Sequence, residues 1–481
     1  MSSTFSGGLH QRYPAVAVLV LALAALSGSV GPEPAPAGDE GPGPAPLRAA
    51  GLIGDQSSPG SVSPVPPERA RGASYLPGSN VLRLADGSLL HLPPGASEGV
   101  ASPEPDARTE AQVRESRAWL DRGLVPGESV AERRVAERAL LDLRLLTRPG
   151  GAAIASLYPR WDHVWPRDAS WFSVAFSTTG HREEALSILR FLADVQSPDG
   201  TWEARYHPDG SPVFDGRRPQ LDGNGWFLWA VWYWSVTGPG TPEDREHLRE
   251  LWPVVEKAAG AAAGRLRPGG LPPPGPDYWE TDTRLPNLGT AAPLRTGLRA
   301  AADLAARLGH PAEARRYGAA AVRLDAAIGR EFGPAGYSRT PRPGSGADSA
   351  VNFLALPFAP PDPGVERAID RAAADLATPA GGVVPGEAFP DEKVAWTPST
   401  AFFALSAAAS GDREAADRRL GWLSGHRTQL GAFPEKVSAE GEPLSVAPLG
   451  WTAAIFLLAL SAREQPLPVP PVPPPEDRWM P

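Results

Sequence analysis

The chain has 481 residues, a length that suits two to four domains and is ample for a large buried core. Hydrophobic residues make up 42% and charged residues 21%, as in a globular rather than a disordered protein. The net charge of −9 and the lack of a long Lys/Arg run argue against a nucleic-acid partner. With no cysteine, the chain has no disulfide, no Cys-ligated metal and no thiol nucleophile.

An apolar run at residues 15–26 follows an N-terminal stretch that carries one Arg and no acidic residue. Small residues come next, and the run is short for a membrane-spanning helix, which needs about 20 residues. We therefore predict that residues 1–30 are a signal peptide and that the protein is secreted. The alternative is an uncleaved N-terminal membrane anchor, since no clear cleavage site is present.

Residues 31–72 are rich in Pro, Ala, Gly and Ser and hold few large apolar side chains, which predicts a linker. A short β segment is predicted over residues 73–108. Within it, residues 81–92 alternate around an Asp86-Gly87 turn and so indicate a hairpin. Residues 465–481 are again rich in proline, and we expect an extended tail there.

The body of the chain, residues 109–464, follows a helical pattern. Ser129 and Glu132 have the spacing of a capping box, ahead of apolar residues at helical intervals. Similar stretches then join one helix to the next, each with a glycine that closes a helix and acidic residues that open the following one. They are centred on Gly180, Gly309 and Gly411 and, more loosely, on Gly238.

Each such stretch is the turn of a helical hairpin, which cannot bury its apolar face alone, so neighbouring hairpins must stack. About twelve helices are expected, hence about six hairpins. We predict an all-α (α/α)6 toroid of six helical hairpins, with the short β segment before it. An open solenoid is the alternative, but the lack of a fixed repeat length favours the closed ring.

Loops at one end of such a ring line a shared cavity, and four loops here combine aromatic rings with charged side chains. The first holds Arg167 and Asp168 side by side, a donor fork next to an acceptor pair that can grip neighbouring hydroxyl groups. The third and fourth carry Glu280 and Glu435. The four loops lie at residues 158–168, 196–225, 276–282 and 430–451.

Each loop also has a purely structural interpretation. Asp168 and Asp222 are suited to capping the helices that follow them. The segment around Glu280 fits a surface turn, and Glu435 fits a surface ion pair with Lys436. The aromatic run 226–234 is expected to belong to the core rather than to a site.

Glu280 lies beside two aromatic residues, and burial against them is expected to raise the pKa of its carboxyl group, as a general acid requires near neutral pH. With Glu435 it forms the pair of carboxylates typical of glycoside hydrolysis. One protonates the glycosidic oxygen, and the other attacks the anomeric carbon or activates a water molecule. Their separation, which decides between retention and inversion, cannot be measured from the sequence.

Together the four loops resemble glycoside hydrolase family 15, the glucoamylase-like enzymes, which include glucodextranases and some trehalases. The resemblance covers residues 158–460. It rests on a Tyr ahead of Trp-Pro-Arg-Asp, on Pro-Gln-Leu-Asp-Gly, on Trp-Glu, and on Pro-Glu-Lys-Val followed by Pro-Leu-Gly-Trp, in the family's order. It implies an (α/α)6 barrel, an inverting mechanism and no metal or organic cofactor.

The resemblance also implies roles for individual residues. Glu280 looks like the general acid and Glu435 like the general base that activates water. Arg167 and Asp168 look like the pair that grips hydroxyl groups of the terminal sugar. The remaining residues implied to bind substrate are Tyr158, Trp165, Gln220, Asp222, Trp279, Trp396 and Trp451.

The sequence departs from the family in two places. Thr281 and Asp282 stand where a second Glu commonly follows the acid. The segment 387–396, which includes Asp391, is short and lacks the Arg that family members place against the leaving sugar.

The sequence thus favours an exported, inverting, exo-acting hydrolase that releases terminal glucose from α-linked oligo- or polysaccharides. The alternatives are a trehalase of the same family and a degenerate toroid that binds a glycan without cleaving it. The oligomeric state stays open.

Overall fold

The computed structural model describes residues 45–55, 60–390 and 393–473. The predicted signal peptide and the first part of the predicted linker lie outside these residues, as do Asp391 and the end of the Pro-rich tail. Export therefore stays a prediction. Within the described ranges, no helix is both long and apolar enough to cross a membrane.

The N-terminal part of the described chain is a layer of short strands. Strands β1 and β2 pair antiparallel with Leu52 opposite Pro64, and a second sheet has the order β3-β4-β5-β6. The predicted hairpin is present as the pair of β4 and β5, with Leu82 opposite Leu90. The elements are β1 (Gly51–Gly54), β2 (Val62–Val65), the short helix α1 (Pro67–Ala70), β3 (Ser74–Tyr75), β4 (Leu82–Arg83), β5 (Leu89–His91) and β6 (Val100–Ser102).

This layer corrects the prediction of a linker over residues 31–72, because residues 45–55 and 60–72 are built into the folded body. Leu52 and Ile53 are almost fully buried, and Leu52 belongs to the main hydrophobic core. The Tyr75 hydroxyl donates to Leu52 O (2.5 Å) and accepts from Leu52 N (3.0 Å), which ties the two sheets together. Proline and glycine dominate the composition, but these few apolar side chains are enough to dock the segment.

The helices follow in pairs. They are α2 (Ala107–Leu120), α3 (Val130–Leu146), α4 (Pro166–Thr178), α5 (Arg182–Asp194), α6 (Asp222–Thr237), α7 (Pro242–Gly264), α8 (Leu288–Leu308), α9 (Pro311–Phe332), α10 (Pro363–Asp375), α11 (Thr397–Ser410), α12 (Arg413–Gly425) and α13 (Gly450–Glu464). A six-residue 3₁₀ helix, Ser349–Leu354, precedes α10.

The helix pairs close into a ring, and the predicted (α/α)6 toroid is confirmed. The inner elements are α4, α6, α8, the 3₁₀ helix, α11 and α13, each packed on the next. The outer elements are α3, α5, α7, α9, α10 and α12. Because α13 packs against both α3 and α4, the last hairpin meets the first, and an open solenoid is excluded.

Local sequence signals explain where many of these helices begin and end. The Ser129–Glu132 capping box is present at the start of α3. Gly180, Gly309 and Gly411 have φ of 81°, 81° and 84°, the left-handed conformation that glycine adopts without strain at a helix end. The fourth proposed copy differs, because Gly238 is extended with φ −83°.

The inner helices are apolar on all sides because they are surrounded by protein. From Asp222 to Trp234 every residue of α6 is buried, as expected for the aromatic run. Trp171, Trp226 and Trp229 pack with ring centroids 5.0–5.5 Å apart around the axis of the ring. These packed rings fill the space between the inner helices. A cavity can therefore form only at an end of the ring.

A small sheet among the loops supports one side of that space. Strands β7 (Ala395–Trp396), β8 (Lys436–Val437) and β9 (Pro443–Leu444) pair antiparallel in that order. The register sets Trp396 opposite Lys436, whose ammonium group lies 4.5 Å from the Trp396 ring centroid. The sheet therefore fixes the loop that carries Glu435, one residue ahead of β8.

Candidate active site

A cavity of about 260 Å³ opens where the loops that precede the inner helices α4, α6, α8, α11 and α13 converge. The predicted site residues come from five separate loops, and most of them meet here. Those that line the cavity are Trp165, Arg167, Asp168, Trp279, Glu280, Trp396, Glu435 and Trp451.

Glu280 lies on the loop before α8 and is held at both carboxylate oxygens. Trp165 Nε1 donates to Oε1 at 2.5 Å, and Gln220 Nε2 donates to the same oxygen at 3.3 Å. Arg217 Nε lies 2.7 Å from Oε2. The backbone of Glu280 has φ +61°, a left-handed conformation that is strained for a residue with a side chain. Such strain is common at functional sites, where the surrounding structure imposes it.

The expected rise in the pKa of Glu280 is wrong for the structure as it stands. Burial does favour the neutral acid, but Arg217, the Trp165 N–H, Arg167 and Gln220 together outweigh it, and the pKa lies below its usual value. The sequence argument counted the neighbouring rings and missed Arg217. A general acid at this position must first lose the Arg217 contact.

A buried network behind Glu280 holds its loop in place. Asp277 Oδ1 accepts the backbone N–H of Trp279 at 3.0 Å, and Arg339 donates to the same oxygen at 3.1 Å. The Arg339 guanidinium also lies 3.4 Å from the centroid of a Trp279 ring. Asp348 completes the network, accepting from the Tyr278 hydroxyl at 2.6 Å. Arg339 therefore positions Trp279, the residue that precedes Glu280.

Glu435 is the second carboxylate on the cavity wall and is only 8% exposed. Trp161 Nε1 donates to Oε1 at 3.2 Å, and the Ser445 hydroxyl donates to Oε2 at 2.5 Å. The alternative of a surface ion pair with Lys436 does not hold, because Lys436 turns to the Trp396 ring. One loop, 158–168, thus supplies an indole N–H to each of the two glutamates.

Arg167 and Asp168 lie in the first turn of α4, both 5% exposed. Arg167 Nη1 donates to Gln220 Oε1 at 2.7 Å and to Asp222 Oδ2 at 3.1 Å, and its guanidinium lies 4.9 Å from the Trp451 ring centroid. Gln220 and Asp222 thus do not line the cavity. They bind Arg167 and fix its orientation. Asp222 begins α6 without capping it, since no side-chain cap bond is formed there.

Asp168 keeps acceptor capacity for a ligand. Its Oδ2 lies 3.3 Å from Arg167 Nε, yet neither atom has a hydrogen-bond partner in the described part of the chain. Burial raises the pKa of Asp168 to about 6, Arg167 opposes the shift, and Glu280 and Asp222 add to it. A buried, ionised acceptor of this kind is suited to a sugar hydroxyl.

If the cavity binds a sugar through Asp168, replacing Asp168 with Asn should weaken the binding of glucose by about 1.5–3 kcal/mol, the usual worth of a hydrogen bond to a charged group. It should also change the dependence of stability on pH. Between pH 3.8 and about 6 the folded wild type retains a proton that the unfolded chain releases, so its unfolding free energy falls as pH rises. Asp168→Asn has no carboxyl group at this position, so its unfolding free energy does not fall with pH for this reason. Its melting temperature relative to wild type should therefore rise over this interval.

Calorimetric titration with glucose and thermal melts at several pH values measure both effects. Asp194→Asn, on the exposed end of α5, is the matched control and should change neither. Unchanged glucose binding in Asp168→Asn would show that the side chain does not contact the sugar.

An aromatic wall faces the two glutamates. Trp279, Phe389 and Trp396 pack edge to face, with centroids 5.0 and 5.1 Å apart, and all three line the cavity. Such rings suit the apolar faces of a sugar. Tyr158, like Gln220 and Asp222, lies outside the cavity wall, and Arg48 is 4.4 Å from its ring centroid.

Sequence reasoning missed several residues of the site. Trp161 and Phe389 fall inside the segments 158–168 and 387–396, but nothing in the local sequence distinguishes them from packing residues. Arg205 and Arg217 lie in the loop before α6, and the packing of α6 against α8 brings that loop next to the one that carries Glu280. In residues 45–55, 60–390 and 393–473, no three His, Asp or Glu side chains gather as a metal site would require.

The site thus combines two carboxylates from separate loops, a buried Arg–Asp pair with an unused acceptor and an aromatic wall. Glu435, with Ser445 and Trp161 on its oxygens, can accept a proton from water. Glu280 can deliver a proton once Arg217 has moved away. That combination is suited to acid–base chemistry on a sugar acetal.

Comparison with known proteins points the same way. The family model described as glycosyl hydrolases family 15 matches residues 190–418. An uncharacterized glycosyl hydrolase of Methanocaldococcus jannaschii is 34% identical over 128 residues, which cover 26% of this chain and 20% of that protein. The match thus spans about a fifth of that relative's length.

Solved structures share the fold. A bacterial glucoamylase complexed with acarbose aligns with a TM-score of 0.62 at 16% identity, over 78% of this chain and 62% of that one. A glycosidase in complex with glucose aligns with a TM-score of 0.59 at 20% identity, over 69% and 96%. The glucoamylase of Saccharomycopsis fibuligera gives 0.56 at 16% identity, over 71% and 97%. At these identities the likeness shows the fold.

Proposed function

We propose, from the premise that the chain belongs to glycosyl hydrolases family 15, that it is an exo-acting glycosidase that hydrolyses α-glucosides with inversion. The observation that carries the proposal is the meeting of Glu280 and Glu435 in one cavity, each bound by an indole N–H of the same loop. Hydrolysis of a glycosidic bond needs two carboxylates on opposite sides of the sugar.

In this mechanism Glu435 is the general base and Glu280 the general acid. Glu435 accepts a proton from a water molecule, which attacks the anomeric carbon as the bond to the leaving oxygen breaks. Glu280 gives its proton to that oxygen, so that one water is consumed and a free sugar is released. Arg167 and Asp168 hold hydroxyl groups of the terminal sugar and thereby fix the anomeric carbon between the two glutamates.

The shape of the cavity supports action at a chain end. Arg167 and Asp168 close its inner side, with Trp451 against Arg167. Its volume of about 260 Å³ is below the roughly 300–1,000 Å³ of pockets that hold drug-sized ligands. A cavity of this size suits the last sugar of a chain, with the remainder outside. Inversion is inferred from the family resemblance.

The test is to measure sugar release from maltose, longer malto-oligosaccharides, isomaltose, dextran and trehalose. NMR of the fresh product reports its anomer. Release of β-glucose from an α-linked substrate would support the proposal and identify the linkage. Activity on trehalose alone would identify a trehalase, and release of α-glucose would contradict inversion.

One observation favours a second candidate, a toroid that binds a glycan without cleaving it. The Arg217–Glu280 ion pair keeps the acid ionised. Folded protein that binds sugars but releases no product from any substrate of the panel would support this alternative.

A further inference from the structure

Three arginines, Arg160, Arg205 and Arg217, surround the Glu280 side of the cavity and line it. Arg217 contacts both Glu280 and Asp215, and Arg205 pairs with the same Asp215. Arg160 forms no ion pair with any carboxylate that the structure describes. Two of the guanidinium groups therefore share one aspartate, and a third has none.

The remaining charged and titratable groups nearby do not balance the arginines. Asp162 is 48% exposed at its side chain and binds the backbone N–H of Arg160 at 3.0 Å. The His163 and His207 rings lie 4.9 Å apart, and burial lowers the pKa of His163, so that this ring is neutral near pH 7. When Glu280 carries the proton that it must deliver, three guanidinium groups face two aspartates.

Arg205 lies close to both of the other arginines, because it donates to Arg160 O at 3.3 Å and shares Asp215 with Arg217. It is 5% exposed, and its Nε has no hydrogen-bond partner among the described residues. Burial lowers the pKa of Arg205 to about 10, with Arg217 and Arg160 contributing to the shift by repulsion. A buried guanidinium with an unused donor, pressed by like charges, is a group that an anion would stabilise.

Two of these arginines, Arg217 and Arg160, lie where the leaving part of the substrate would lie, and Arg205 is buried beside them. Arg167 and Asp168, at the inner side, are 5% exposed, whereas the Arg217 side chain is 30% exposed and Arg160 is exposed. If the terminal sugar fills the inner side, the next unit lies at the mouth. The general acid also stands beside the leaving oxygen. A neutral sugar ring has no need of three guanidinium groups.

We propose that the substrate of this site carries an oxyanion, a carboxylate or an ester phosphate, on the unit that leaves, and that Arg217, with Arg205 and Arg160, binds it. The inference rests on the hydrolysis proposed above and names its substrate class. A guanidinium fork matches either oxyanion through two parallel N–H bonds.

Such an anion would also prepare the acid. The anion competes with Glu280 for Arg217, because both would bind the N–H donors of its guanidinium group. Once Arg217 turns to the substrate, Glu280 keeps Trp165 and Gln220 as partners and loses the cation that lowers its pKa most, while Arg167 stays nearby. A neutral substrate leaves the ion pair in place. Arg217 is therefore a specificity-determining residue that couples binding of the leaving unit to proton delivery.

The experiment compares kcat/KM for matched neutral and anionic substrates. Maltose and isomaltose are paired with maltobionate and isomaltobionate, which carry a carboxylate on the leaving unit. Trehalose is paired with trehalose 6-phosphate, which carries a phosphate. Wild type should prefer one of the anionic forms by about tenfold or more. In Arg217→Gln the ratio of kcat/KM for the anionic form over the neutral form should fall to about parity.

Arg218→Gln is the matched control, since Arg218 is exposed and pairs with Asp282 at 2.9 Å on the surface. It should keep the full preference. Equal cleavage of neutral and anionic forms by wild type, or a preference that survives in Arg217→Gln, would overturn the inference and leave the hydrolase. Cleavage of none of the six by folded wild type would overturn the proposed hydrolysis, and the inference with it.

Discussion

Replacement of Glu435 by Gln is expected to lower kcat by about 10²–10⁴-fold on every substrate that the protein cleaves. The amide has no basic oxygen, so the attacking water keeps its proton however good the leaving group is. Gln is nearly the same size: its amide oxygen can accept from Trp161 Nε1, and its NH2 group can donate to the Ser445 hydroxyl oxygen, which replaces the bond that Ser445 donates to Glu435. The measurement is kcat on a disaccharide and on α-glucosyl fluoride, with thermal melts to verify the fold.

Glu440→Gln is the matched control, because Glu440 lies exposed in the turn between β8 and β9. Its kcat should equal that of wild type. If Glu435→Gln retained kcat within about tenfold while folded, Glu435 would not be the base and the proposed mechanism would fail.

Replacement of Glu280 by Gln is expected to lower kcat by a similar factor on disaccharides but by less than about tenfold on α-glucosyl fluoride. Fluoride departs without a proton, so the acid is needed only when the leaving group is a sugar hydroxyl. The two glutamate variants should thus differ in one respect, the dependence on leaving group. A structural role for Glu280 would lower both activities together.

Asp282→Asn serves as the control for Glu280→Gln, since Asp282 is two residues away and pairs with Arg218 at the surface. Arg217 loses its partner in Glu280→Gln, and a shift in local structure would lower activity on both substrates. Comparing a disaccharide with α-glucosyl fluoride separates such a shift from the loss of the acid. A large loss on the fluoride as well would contradict the role of Glu280 as acid.

Much of the fold and of the site was predictable because the signals are local. Capping residues and glycines at helix ends mark the hairpins, and the Trp-Pro-Arg-Asp turn places Arg167 and Asp168 at the start of a helix whatever surrounds it. The two glutamates sit beside tryptophans in sequence. In a ring of helical hairpins, the loops that precede the inner helices lie at the same end and therefore meet.

The charge state of the site was not predictable, because it depends on contacts between distant loops. Arg217 and Glu280 are 63 positions apart (280 − 217), and no pattern links them. The pKa of Glu280 accordingly moves in the direction opposite to the one that its neighbouring rings indicate. The N-terminal strands were not predicted for a different reason. Leu52 and Ile53 are too few apolar residues to indicate a strand in a Pro- and Gly-rich segment.

The closed ring also constrains how the protein is made. During translation the chain emerges from its N-terminus, and domains generally fold as units. Here α13 must pack on α3 and α4, and Gly450 fits so closely that a Cβ added to it would lie 2.0 Å from Phe172. When Glu435 has left the ribosome, Trp451 has not, and the contact between the last and first hairpins cannot yet form. The cavity is therefore completed only when the ribosome has finished α13.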